Sequence, residues 1–168
     1  MLVKEDYKAR LHEITELKGS VTLDIDPIAA GLTSFNAKLA QLQAIRERVT
    51  SLLTEAIWNK TAAQNERDSA DFIFSAKYDH LLTTDKTVQT LKSADLRKAK
   101  LNDILNVELA SVHQTTKIYS YADAYLKNVY AIEKELEVKN NNLLTQINTV
   151  KIMLHVDPAL RDDLKYKA

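Results

Sequence analysis

Four residues in this chain of 168 oppose helix formation: Gly19, Gly31, Pro27 and Pro158. Average usage of about 7% Gly and 5% Pro would supply roughly 20. Sandwiches, barrels and hairpin-rich sheets need those residues at their turns, so the deficit excludes them. It also excludes the Gly-rich loops that cradle phosphates, since neither GxGxxG nor GxxxxGK occurs. Long uninterrupted helices are what remains.

The breakers and caps mark where those helices end. Residues 4–18 form an amphipathic pattern with Tyr7, Leu11, Ile14 and Leu17 or Lys18 near one face, and Gly19 placed to stop it. From Ser20 to Asp26 the apolar residues alternate at Val21, Leu23 and Ile25, the period of a strand. A lone strand is unstable, so this segment is either an extended packing arm or one half of an intermolecular pairing. Asp26-Pro27 then joins an N-cap acceptor to a proline at the first helical position. No stop signal follows until about Leu82.

Within that stretch apolar positions step by four and three: Ile28, Leu32, Phe35, Leu39, Leu42, Val49, Leu53 and Ala56. This is the heptad seam of a coiled coil. The same seam continues through Lys60, Ala63, Arg67, Ala70, Phe74, Lys77 and Leu81, so it turns small and polar midway. Thr83 to Lys86 breaks the pattern, and Ser93 is the next good N-cap.

A second seam follows from Leu101 and Leu105 through Glu108, Val112, Thr115, Tyr119, Ala122, Leu126, Val129, Glu133 and Leu136 to Val150 and Leu154. A flanking row at Ile104, Ser111, Ile118, Tyr125 and Ile132 widens it beyond a two-helix seam. Asp157-Pro158 repeats the cap-plus-proline device and starts a short helix from Ala159 to about Lys165.

The expected fold is all-α: a long antiparallel, coiled-coil-like helical hairpin with helices at 27–82 and 94–155. Residues 1–26 add the N-terminal helix and extended arm. Matching the seams pairs Ile28 with Val150, Leu32 with Ile147, Phe35 with Leu143 and Leu42 with Leu136. Arg46 then meets Glu133, and Arg67 falls about one turn from Glu108, which would fix the register. The widened stripe needs cover from the N-terminal helix or from another protomer. Homo-oligomerisation is expected, because so short a helix leaves most of the stripe bare.

Composition narrows the function. The 23 basic and 23 acidic groups cancel, which argues against a surface devoted wholly to nucleic acid or anionic lipid. Absence of cysteine removes disulfides, thiol nucleophiles and Cys-based zinc sites, and suits a cytoplasmic protein. The charged N-terminal stretch does not read as a signal peptide, and no apolar run approaches membrane-spanning length. His12, His80, His113 and His155 stand singly, without the ExxH or HExxH spacing of metal centres. Glu133, Glu135 and Glu137 alternate with Lys134 and Lys139 as a solvated face. No nucleophile, metal or cofactor motif emerges, so the chain reads as a non-enzyme without cofactors.

Two features carry binding potential. Tyr119, Tyr121, Tyr125 and Tyr130 crowd one stretch, where Tyr119 and Tyr125 read as core-facing. Tyr121 and Tyr130 are either a subunit interface or simply exposed. Segment charge is near zero or negative everywhere except residues 82–100. There Lys86, Lys92, Arg97, Lys98 and Lys100 face only Asp85 and Asp95, a net charge of +3 at the hairpin tip. Repeated around an oligomer, that patch could hold a phosphate backbone without sequence preference. Lys60 and Arg67, set among alanines, form a second polar zone.

Thr84-Asp85-Lys86-x-Val88, then Lys92-Ser93-Ala94-Asp95-Leu96-Arg97 opening a long helix, then Asn142-Leu143-Leu144-x-Gln146-Ile147, form a recognisable layout. Over roughly residues 55–154 it resembles small helical proteins of large phages. These include the recombination mediators that load a strand-exchange recombinase onto single-stranded DNA. The resemblance implies a helical oligomer, acting in the host-cell cytoplasm, that binds single-stranded DNA weakly through a basic loop and also binds a partner enzyme. The alternative is a coiled-coil scaffold or assembly protein without nucleic acid; an inhibitor of a host protein is a third reading.

Overall fold

The computed structural model describes the backbone of residues 4–19 and 27–156, and every regular element among them is helical. Five helices follow in order: α1 (Lys4–Gly19), α2 (Pro27–Thr84), α3 (Lys86–Gln89), α4 (Ala94–Ile104) and α5 (Asn106–Val156). The long helices α2 and α5 pack against each other as an all-α helical hairpin. The expected extended arm at 20–26 and the tail helix at 159–165 lie outside the described residues. The chain divides into two compact units, Met1–Tyr7 with Ala56–Tyr125 and Lys8–Glu55 with Leu126–Ala168.

The second of these units has an aliphatic core. Phe35, Leu42, Val49, Leu136 and Leu143 are fully buried, joined by Ile45, Leu52, Val129, Ile147 and Val150. Each large side chain buried here contributes about 1.5–3 kcal/mol of transfer free energy. Helix α1 adds Ile14, also fully buried. It is held by Arg10 to Glu55 at 2.8 Å, and by Arg48, whose Nε and Nη2 both donate to one Glu13 oxygen at 3.0 and 2.8 Å. As α1 advances, its α2 partners recede, so the two helices run antiparallel. This third helix covers part of the widened stripe, which was expected to depend largely on another protomer. Ile132, in the flanking row, is buried here.

The other unit is built differently. Ala56, Ala63 and Ala122 are its buried seam residues on the two long helices, with the Tyr125 ring in tilted contact with Tyr7 of α1, centroids 5.3 Å apart. Lys60 of α2 reaches Asp123 of α5 at 2.6 Å. Arg67 lies over the Tyr119 ring, 4.4 Å from its centroid, and donates to Asp68 at 2.7 Å. Lys77 donates to Glu108 and holds that carboxyl below its ordinary range. Away from α1 the flanking row is no longer covered: Ile118 is half-buried, while Ser111 and Ile104 are exposed.

In the unit containing Arg67 these contacts correct the expected register. Glu108 is taken by Lys77 rather than approached by Arg67, a displacement of roughly one to two helical turns. Arg46 and Glu133, expected to meet, form no ion pair among the described residues. In the unit containing Arg67 the seam is made of alanines, which offer no large knobs to fix alignment. The stacking of Arg67 on Tyr119 and the Lys60–Asp123 pair set it instead.

The expected helix at 94–155 is also interrupted. A turn at Leu105, with φ −98° and ψ 26°, separates α4 from α5. The hydrogen-bond ladder still passes through it, from Leu105 N–H to Leu101 at 2.8 Å and from Leu109 N–H to Leu105 at 2.9 Å. Leu101 and Leu105 are both buried, and α4 packs on α3. No Gly or Pro marks the turn, so sequence alone would continue the helix.

Candidate functional site

The tip owes its shape to short polar side chains that satisfy helix ends. The Thr83 and Thr84 hydroxyls donate to the His80 carbonyl at 2.9 and 2.8 Å, and Asp85 N–H donates to Leu81 at 2.9 Å, the last bond of α2. Asp85 is extended, and its carboxylate accepts from Thr87 N–H at 2.7 Å, Thr87 Oγ1 at 2.6 Å and Val88 N–H at 3.3 Å. The Thr87 hydroxyl is the main reason its carboxyl sits below the ordinary range, and the nearby Lys100 charge helps. Val88 of α3 is fully buried and anchors the tip. Ser93 caps α4 as expected, accepting from Asp95 and Leu96 N–H at 3.2 and 3.4 Å.

Five cations were expected to form a binding patch on this frame. Lys86, Lys92 and Lys98 are exposed and make no ion pair among the described residues. Arg97 is half-buried, and its Nε donates to the Leu91 carbonyl at 2.8 Å, so it braces the loop before α4. Lys100 is exposed but shared between acids, 3.7 Å from Asp103 and close enough to act on Asp85. Three of the five cations are thus exposed on the tip segment, while Arg97 and Lys100 are partly engaged by the Leu91 carbonyl and by acids. Three ammonium groups can hold phosphates as point charges, without the bidentate geometry that would read a base.

The second polar zone is occupied by the protein itself: Lys60 is paired with Asp123, and Arg67 lies between Asp68 and the Tyr119 face. Tyr119 is therefore covered rather than open as a stacking platform. Tyr125 is buried as expected, Tyr121 is half-buried and Tyr130 is 47% exposed. Among the described residues no three His, Asp or Glu side chains gather into a metal-binding group. Likewise none of the described helices is long and apolar enough to cross a membrane.

One prominent surface was missed by sequence reasoning. Trp58 is 76% exposed and Phe72 74%, both on the α2 face opposite the seam. Attention to the seam alone hid them. Their spacing of two heptads, with Asn65 midway, was the signal available. No protein-family model, curated protein or solved structure matches the chain.

Proposed function

We propose that this is a non-enzymatic, oligomeric helical protein of phage nucleic-acid metabolism, a recombination mediator or accessory factor. In this reading it holds single-stranded DNA at its tip and presents helix faces to a partner enzyme. The supporting observation is the outward group Lys86, Lys92 and Lys98 on a tip stabilised by the Asp85 and Ser93 caps. The three lysines are exposed and spend no charge on ion pairs among the described residues, as non-specific phosphate binding requires. A triple substitution Lys86→Glu, Lys92→Glu, Lys98→Glu tests it by fluorescence anisotropy on a labelled oligonucleotide. Binding should be abolished while helical circular dichroism is retained; wild-type affinity in the triple variant would remove the tip from the function.

A second reading, a coiled-coil assembly protein without nucleic acid, draws on the exposed Trp58 and Phe72. Large aromatics presented to water are costly unless a partner covers them. Failure of the wild-type chain to bind any oligonucleotide at low salt would favour it.

A further inference from the structure

The outer half of α2 between Ile57 and His80 combines exposed aromatic rings with one sign of charge. At 100° per residue about an axis through Asn65, opposite buried Ala56 and Ala63, this half carries Trp58, Phe72, Ile57 and Ile73 and no Lys or Arg. Asp68 and Asp79 lie on it, and Glu66 and Asp71 border it, all four exposed. The cations of the same stretch are engaged elsewhere: Lys60 with Asp123, Arg67 with Tyr119 and Asp68, and Lys77 with Glu108. Glu66, Asp71 and Asp79 make no ion pair among the described residues.

We propose that this face docks a cationic amphipathic helix of a partner protein. Charge decides the class of occupant. The carboxylates repel a phosphate backbone or an anionic lipid surface and attract Lys and Arg side chains. The aromatic rings favour the same partner, because an exposed indole face also attracts an ammonium or guanidinium group.

Trp58 and Phe72 stand two heptads apart, about 21 Å along α2, a length that a partner helix of four turns spans. A groove of about 350 Å³ beside Trp58, lined by Ile57, Thr61, Ala62 and Asn65, takes an apolar side chain from that helix. The two rings offer a small area, so the complex is transient and salt-sensitive. This docking gives chemistry to the partner already invoked and so rests on that reading, but it uses a different face from the basic tip.

Trp58 is the single tryptophan of the chain, so its emission reports on this face directly. The probe is a Trp-free amphipathic Leu–Lys peptide of about 18 residues, roughly 27 Å long as a helix. Titrating it into the wild-type chain should shift Trp58 emission to the blue and saturate, with affinity falling as salt rises. A matching Leu–Glu peptide should leave the emission unchanged. Phe72→Ala should weaken Leu–Lys binding about tenfold at unchanged helical circular dichroism. Glu66→Gln, Asp71→Asn and Asp79→Asn together should weaken it about tenfold at low salt and flatten the salt dependence. Unmoved emission with the Leu–Lys peptide, or an equal shift with the Leu–Glu peptide, would overturn the proposal. So would a free chain whose Trp58 is already shielded from acrylamide, the mark of a face covered by the chain's own segments or by a second copy. Oligonucleotide binding is read separately: its loss with the emission shift intact would sink the tip reading and leave this docking standing.

Discussion

The two units of this hairpin use the same two helices and solve the packing problem in opposite ways. In the unit of Lys8–Glu55 and Leu126–Ala168, α2 and α5 bury leucine, isoleucine, valine and phenylalanine, and α1 adds a third wall. In the unit of Met1–Tyr7 and Ala56–Tyr125, the seam between those helices narrows to alanines bordered by Lys60–Asp123, Arg67–Tyr119 and Lys77–Glu108. The first arrangement derives stability from apolar area, which is non-directional. The second buries little area and relies on directional contacts. Stability and specificity are therefore assigned to different stretches of the same helices. The stretch with the weaker core also carries the exposed aromatic face and the basic tip.

The largest expected effect lies in the aliphatic seam. Leu136→Ala removes a fully buried side chain and should cost about 2–5 kcal/mol in urea unfolding followed by circular dichroism. A cost below 1 kcal/mol would show that this core is looser than its burial implies. The alanine seam should respond to the opposite change. Ala63→Leu, at a position 1% exposed, should destabilise by about 1–3 kcal/mol through overpacking. If it stabilised instead, the seam would be underpacked and the contrast between the units would weaken.

Smaller effects sharpen the same contrast. Ser93→Ala removes the α4 cap and should cost about 1 kcal/mol, read by hydrogen exchange confined to residues near the tip. Lys60→Met should cost at most about 1 kcal/mol, because its pair with Asp123 is partly exposed. Asp85 gives a pH signature. Its folded carboxyl lies below the ordinary value of 3.8, so its stabilising contribution is present above that value and is lost as pH falls through the depressed one. Amide protection of Thr87 and Val88 should decline over that acidic window, and Asp85→Ala should remove the protection already at neutral pH.

How much of this was legible in the sequence follows from what each signal depends on. The seam of α5 was readable, because heptad spacing is local: Ala122, Leu126, Val129, Leu136, Leu143, Ile147 and Val150 are all buried. So were the start of α4 at Ser93 and the extent of α2, which rest on caps and on the absence of breakers. The register of the alanine seam was not readable, because alanines accept several alignments and Arg67 found the Tyr119 face and its neighbour Asp68 in place of Glu108. The turn at Leu105 carries neither Gly nor Pro, so no breaker announces it. Helix α3 was missed because its Asp85 cap was read only as a break. At the tip, position and charge were legible, but the diversion of Arg97 to the Leu91 carbonyl was not. That bond depends on how the loop closes.

The central claim is that the tip holds a single-stranded phosphate backbone through lysine charge. A salt series of single-stranded DNA binding by the wild-type chain tests it most directly. Three lysine–phosphate contacts should give a slope of log affinity against log salt of about −2 per tip, independent of base sequence. A flat salt dependence, or no binding at low salt, would contradict the account.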